Sequence, residues 1–176
     1  MSCPQGDEKK AAAEKELAKT SIFGWGKQQK HEDAAELYKA AANSYKLSDL
    51  YTESAKCYLL SAENHKIADG NVSTDYLNMT IEAANCYKRV DIAMAIQTFA
   101  IAIQAYKNSA RLSQAGRYQK EVAEILEADH NTIAAMGAWD VAADLYSKDN
   151  KKSQAKECYL KVAAMVSTAA CASAAI

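Results

Sequence analysis

The feature that most constrains this 176-residue chain is a four-residue spacing, Ala-x-x-Tyr, that recurs through most of its length. Strict copies of this spacing occur at Ala35–Tyr38, Ala42–Tyr45, Ala55–Tyr58, Ala84–Tyr87, Ala115–Tyr118 and Ala143–Tyr146. A small residue on one helix leaves a space that an aromatic ring on a neighbouring helix can fill. Because about one motif falls on each predicted helix, the unit is a helix pair of roughly 40 residues, near the tetratricopeptide length.

The stretch Ile81–Glu127 shows most clearly how these helices follow one another. Three apolar stripes with helical spacing run through it, and they are interrupted at Asp91 and at Asn108–Ala110. Interruptions as short as these leave room only for antiparallel packing of consecutive helices.

Composition supports an all-α fold. The chain has one Pro and six Gly, and alternating strand patterns are absent. We expect a tetratricopeptide-like solenoid of antiparallel helix pairs that forms a twisted sheet. Its domains would be an N-terminal helix and loop at 1–30, a helical repeat domain at 31–168 and a tail at 169–176. The predicted helices span 7–19, 31–47, 49–67, 72–90, 92–108, 111–128, 131–148 and 151–168, after disordered residues 1–7.

Neither composition nor motifs indicate chemistry of the chain's own. A formal net charge of -1 gives no general attraction for nucleic acid. The five cysteines lack a CxxC pair. We interpret Cys57, Cys86 and Cys158, each directly before a Tyr, as small buried hydrophobes, and this cysteine usage indicates the reducing cytosol. His31, His65 and His130 fall on different predicted helices, and no phosphate-binding loop, nucleophile elbow or zinc motif occurs. We therefore expect no enzyme, no metal and no cofactor.

An unusual loop is predicted at residues 20–29, where Ile22, Phe23 and Trp25 stand among two glycines and near lysines. A loop of this kind cannot easily bury three large apolar side chains within itself. Such residues suit a membrane interface, where Trp is favoured and Lys meets anionic headgroups. The alternative is that they pack back onto the first helices.

Several segments, in order along the chain, resemble the soluble NSF attachment protein (SNAP) family, whose members act in membrane-fusion recycling. The resemblance spans residues 7–164, in which no single motif is decisive. It is carried by SIFGWG, by AAELYKAAANSYKLSDLYTESAKCY, by EAANCYKRVD with AIQTFAIAIQAY, and by VAEILE with AAMGAWDVAADLYSKDNKKSQAKECYLKVA.

The resemblance implies an adaptor in vesicle trafficking. Its partners would be the four-helix bundle of syntaxin-type SNARE proteins and a hexameric NSF-type ATPase that disassembles the bundle. The first loop would contact the membrane through Ile22, Phe23 and Trp25. The location implied is cytoplasmic and peripheral, on the cytosolic face of vesicle, Golgi and endoplasmic reticulum membranes.

The resemblance also selects a set of basic residues for SNARE binding. Arg89, Arg111, Arg117 and Lys161 each stand where the family has a basic residue on its concave face. Six residues separate Arg111 from Arg117, which places them some 120° apart around a helix, on one broad side. By spacing alone, all four could equally be solvated helix surface.

Two positions and the length depart from the family pattern. Asp49 and Glu157 stand where the resemblance leads us to expect lysines, although Lys156 lies beside Glu157. The match covers little more than the first half of a family member, so we expect the surface that contacts the ATPase to be missing. The Ala-rich end, including Val162, Met165 and Val166, would then be prone to self-association.

The alternative function is a general tetratricopeptide-type adaptor that clamps a short peptide. Such a clamp needs Lys and Asn side chains that converge in one groove. Here the basic residues are spread over several predicted helix pairs, which favours an extended partner.

Overall fold

The computed structural model describes residues 2–19 and 26–174, with side chains as far as residue 168. All the regular elements in these residues are α-helices, which confirms the predicted all-α class of tetratricopeptide-like helix pairs. The helices are α1 (Pro4–Ala18), α2 (Lys27–Leu47), α3 (Tyr51–Asp69), α4 (Thr74–Tyr87), α5 (Ile92–Asn108), α6 (Leu112–Ala128), α7 (Thr132–Lys148) and α8 (Lys152–Ala174).

The chain forms two compact units, Met1–Thr98 and Phe99–Ile176. In the first unit α1 packs on α2, α2 on α3 and α3 on α4; in the second, α6 packs on α7 and α7 on α8. The bounds predicted for α5, α6 and α7 agree with the structure to within one residue.

The first helix begins earlier than the sequence analysis predicted. Residues 4–7 were expected to be disordered, but α1 starts at Pro4, whose fixed φ suits the first helical position. Cys3 is buried against α2, and its thiol lies 3.5 Å from the carbonyl oxygen of Ser44. The Tyr45 hydroxyl donates to a carboxylate oxygen of Asp7 at 2.6 Å. These contacts with α2 are tertiary, which is why local sequence did not indicate them.

Two other helices are longer than predicted. Helix α2 starts at Lys27, so residues 27–29 are helical and not part of the preceding loop. Helix α8 continues to Ala174, six residues beyond its predicted end at 168. Alanine has the highest intrinsic helix propensity, which explains why the Ala-rich sequence extends the helix.

Four of the connections between the described helices have the same type of turn. Asp49, Ala110, His130 and Asn150 have left-handed backbone conformations, with φ of 57°, 57°, 59° and 57°. The Ala110 N–H donates to the Lys107 carbonyl at 3.0 Å, and the next N–H, of Arg111, donates to the Tyr106 carbonyl at 2.9 Å. The other three turns repeat this Schellman pattern. The chain therefore reverses within a few residues, and the helices on either side run antiparallel.

Small residues in contact with tyrosine rings hold the helices close together, as the repeat predicted. Within the motifs, every alanine and every tyrosine except Tyr118 is buried. Ser54 and Ser61 of α3 donate hydrogen bonds of 2.8 Å to carbonyl groups of α2, which requires the two backbones to approach closely. In the second unit Gly116 of α6 lies under the ring of Tyr146.

The outer face of α8 carries apolar side chains. Tyr159, Leu160 and Val166 are all exposed, whereas Val162 and Met165 are half-buried. Across the residues that the structure describes, none of the helices combines the length and the apolar character needed to cross a membrane.

Candidate functional site

Arg111 and Arg117 lie together at the start of α6. Arg111 is the residue before the first turn of the helix, and both arginine side chains are exposed. The Arg117 guanidinium lies 5.5 Å from the centre of the Tyr118 ring, which stacks on Tyr106 at 5.6 Å. Within the described ranges no carboxylate is close enough to either arginine to form an ion pair. Both guanidinium groups are therefore available to a partner.

Both arginines influence the ionisation of the buried Tyr106. Burial raises the pKa of Tyr106, the neighbouring Tyr118 raises it further, and the positive charges of Arg111 and Arg117 oppose the rise. Both arginines therefore act electrostatically on Tyr106, although their positions differ by some 120° around α6. That the two arginines bind one partner together stays a prediction.

Arg89 belongs to the first unit. It follows the end of α4, is exposed, and lies 5.3 Å from the centre of the Tyr51 ring. The Tyr51 hydroxyl donates to Asp49 at 2.8 Å. Tyr51 therefore contacts both Asp49 and Arg89. Asp49 is one of the two positions where a lysine was expected.

Lys161 is held by side chains of two other helices. Its ammonium nitrogen lies 3.2 Å from one carboxylate oxygen of Glu127 on α6 and 5.6 Å from the centre of the Trp139 ring on α7. The other oxygen of Glu127 accepts a hydrogen bond from the indole N–H of Trp139 at 3.3 Å. Lys161 differs from the three arginines because it already has an internal counter-charge.

The structure adds Lys120, which the sequence analysis did not select. Its ammonium nitrogen lies 2.5 Å from Glu157 on α8 and 5.8 Å from the centre of the Trp139 ring. The hydrogen bond that Lys120 donates to Glu157 raises the pKa of Lys120, although burial opposes the rise. Glu157, the second position where a lysine was expected, is thus paired with Lys120 of α6. The spacings Lys120–Glu127 and Glu157–Lys161 hint at two charged stripes, but the sequence does not show that they meet.

The predicted membrane-contacting residues Ile22, Phe23 and Trp25 lie outside the described residues. The helix that follows is described from its first turn: Gly26 precedes α2 in a left-handed conformation, and Lys30 donates to the carbonyl of Lys19 at 3.0 Å.

The three cysteines that directly precede a tyrosine are buried, as the sequence predicted. Cys57, Cys86 and Cys158 are buried, and burial raises the pKa of each thiol, to about 11 for Cys57. In the part of the chain that the structure describes, no group of His, Cys, Asp and Glu side chains could hold a metal ion.

Comparison with known proteins gives a consistent result. The family model described as "Soluble NSF attachment protein, SNAP" matches residues 4–176. An alpha-soluble NSF attachment protein of Vitis vinifera is 30% identical over 90% of this chain and 53% of its own length. A probable vesicular-fusion protein sec17 homolog of Neurospora crassa is 31% identical over 86% of this chain and 53% of its own. The human alpha-soluble NSF attachment protein is 28% identical over 87% of this chain and 52% of its own.

The chain thus spans about half the length of the curated relatives that it matches. Because the family model covers nearly all of its residues, the chain belongs to the soluble NSF attachment protein family.

Proposed function

We propose that this chain is a vesicle-trafficking adaptor that binds the four-helix bundle of assembled, syntaxin-type SNARE proteins through its exposed basic side chains. The observation that carries the proposal is the family match over residues 4–176. The names of the relatives, attachment proteins for NSF and vesicular-fusion proteins, support a role in membrane fusion that requires no catalysis by the chain itself.

The chemistry of the described surface supports an acidic partner. The guanidinium groups of Arg111 and Arg117 are exposed and have no carboxylate partner among the residues that the structure describes. Arginine presents a planar set of donors that matches the geometry of a carboxylate. The half-buried ring of Tyr118 beside Arg117 adds apolar surface, so this place suits an acidic side chain on a helix.

The distribution of the cations favours an extended partner over a short peptide. Arg117 lies against the stacked Tyr118 and Tyr106, with Arg111 at the start of the same helix, and Lys120 and Lys161 form another cluster around Trp139. A clamp for a short peptide would concentrate its donors in one groove. Two clusters within one unit correspond better to a long helical bundle, which offers acidic residues at intervals.

We further propose that residues 20–26 bring this adaptor to a membrane and that it acts in the same process as an NSF-type ATPase, for which we assign no contact residues in this chain. The first proposal rests on Ile22, Phe23 and Trp25 between glycines and lysines. The second rests on the family name alone. Together they describe a peripheral protein on the cytosolic face of vesicle, Golgi and endoplasmic reticulum membranes.

A pull-down with assembled and separate SNARE proteins tests the central proposal. We expect the immobilised chain to retain the assembled four-helix bundle and to retain little of each separate protein. Retention of a short free peptide with equal affinity would instead support the tetratricopeptide-type clamp. Failure to retain the bundle at low salt would overturn the proposed function.

A further inference from the structure

We infer that Glu127 and Glu157 restrain the affinity of this chain for an acidic partner, because each neutralises a lysine that the partner would otherwise bind. The inference rests on the proposed function, since it concerns the same basic surface. It also assigns Lys120 to that surface.

Two ion pairs join α6 and α8, and each helix contributes one lysine and one glutamate. Lys120 of α6 pairs with Glu157 of α8, and Glu127 of α6 pairs with Lys161 of α8, at 2.5 and 3.2 Å. Trp139 of α7 lies beside both lysines, and only 1% of its surface is exposed. We call these four charged residues with Trp139 the indole cluster. Its two positive and two negative charges cancel.

Each lysine of the indole cluster has a second attraction besides its carboxylate. Both ammonium nitrogens lie within 6 Å of the ring centre of Trp139, at 5.8 and 5.6 Å, where the electron-rich ring attracts a cation. We therefore expect a substitution that removes one carboxylate to leave the lysine charged and close to the indole ring. Glu127→Gln also keeps an oxygen that can accept the indole N–H bond.

The carboxylates are exposed enough to compete with a partner in solvent. The Glu127 and Glu157 side chains are 38% and 57% exposed, and those of Lys161 and Lys120 are 48% and 28% exposed. Ion pairs at such positions contribute little to stability. They do cancel the long-range attraction that the lysines would exert on an acidic partner. Their main effect is thus on binding and not on folding.

Affinity measurements on single substitutions test this inference. We expect Glu127→Gln and Glu157→Gln each to bind the assembled SNARE bundle about two- to fivefold more tightly at about 0.1 M salt. The gain should vanish near 1 M salt, where the screening length falls to about 3 Å. Glu53→Gln is the matched control, because it breaks a comparable exposed pair with Lys56 away from the cluster. Circular dichroism and thermal unfolding should confirm that all three variants fold as the unaltered chain does.

A double-mutant cycle separates the proposed contact from a change in net charge. If Glu157 acts by neutralising Lys120, Glu157→Gln should give no gain in a Lys120→Gln background. A gain that persists in this background, or one of equal size in Glu53→Gln, would overturn the inference. Unchanged affinity of both cluster variants at low salt would overturn it as well.

Poly-L-glutamate provides a second probe that does not depend on SNARE proteins. The cluster variants should show a stronger interaction with it than the unaltered chain at low salt. If the unaltered chain fails to bind the SNARE bundle while poly-L-glutamate shows the gain, the proposed function fails and the inference stands. If the bundle binds but neither probe distinguishes the cluster variants from the control, the inference fails and the proposed function stands.

Discussion

The ring of Tyr45 lies so close to Gly6 that a Cβ atom built on this glycine would be 2.8 Å from a ring carbon. The ring cannot easily move away, because its hydroxyl is bonded to Asp7 at 2.6 Å. We therefore expect Gly6→Ala to lower the free energy of unfolding by about 1–3 kcal/mol through overpacking. Urea unfolding followed by circular dichroism measures this change.

Gly137 is the matched control for this prediction. It lies in the middle of α7, and an added Cβ would meet nothing within 4 Å. Alanine exceeds glycine in helix propensity by about 0.8–1 kcal/mol, so Gly137→Ala should stabilise the protein by about that amount. Stabilisation by Gly6→Ala would show that Tyr45 yields to the new methyl group.

Ala110 adopts a left-handed conformation, with φ of 57°, in the turn between α5 and α6. An L-residue with a Cβ atom is strained there by roughly 1–2 kcal/mol, whereas glycine is not. We expect Ala110→Gly to raise the free energy of unfolding by about 1 kcal/mol, after the entropy of the freer unfolded chain is subtracted. Asn150 occupies the same place in a later turn, and asparagine tolerates this conformation, so Asn150→Gly should gain less. Equal gains at both sites would contradict this account.

Burial raises the pKa of Cys57 to about 11, and burial also raises the pKa of Cys86 and of Cys158. Only the thiolate reacts with disulfide reagents, so these thiols should react slowly at pH 8 and rapidly in urea. A Cys3→Ser, Cys171→Ser background isolates the three groups for a colorimetric thiol assay. Rapid labelling of all three without urea would show that they are accessible.

The same pKa shifts predict a loss of stability in alkali. The unfolded chain ionises its thiols first, because its cysteine pKa stays near 8.5 while the folded values are higher. The stabilising contribution is therefore complete below pH 8.5 and declines as the pH rises above it. The urea concentration at the unfolding midpoint of the unaltered chain should be lower at pH 10 than at pH 8. This decrease should be smaller in Cys57→Ala.

Reversal of charge at the arginine pair tests the partner-binding surface. Arg111→Glu combined with Arg117→Glu should weaken binding to the assembled SNARE bundle and reduce the dependence of binding on salt. Because both side chains are exposed, the thermal midpoint should change little. Lys56→Glu provides a charge-reversed control away from the site. Unchanged affinity of the double variant at low salt would remove this pair from the proposed surface.

Replacement of Ile22, Phe23 and Trp25 by Ser tests the proposed lipid contact. We expect the triple variant to co-sediment less with liposomes that contain anionic lipids, while its helical circular dichroism stays unchanged. Loss of thermal stability with normal liposome binding would show that these side chains pack within the protein.

The sequence determined the class of fold because helix packing here depends on a local spacing. Each Ala-x-x-Tyr motif places a small and a large residue on one face of one helix, and short turns force neighbouring helices to pack together. The start of α1 at Pro4 was missed because Cys3 and Asp7 are held by α2, some 40 residues away, and no local pattern reports such contacts.

Only the tertiary structure decided how the charged residues combine. The family resemblance indicated Lys161, whereas nothing in the sequence indicated Lys120. By sequence alone, each looks like an ordinary surface lysine. Folding brings side chains of α6 and α8 to the ring of Trp139, so that Lys120 meets Glu157 and Lys161 meets Glu127. Electrostatic interactions depend on distance in space, and spacing along a chain fixes that distance only within one helix.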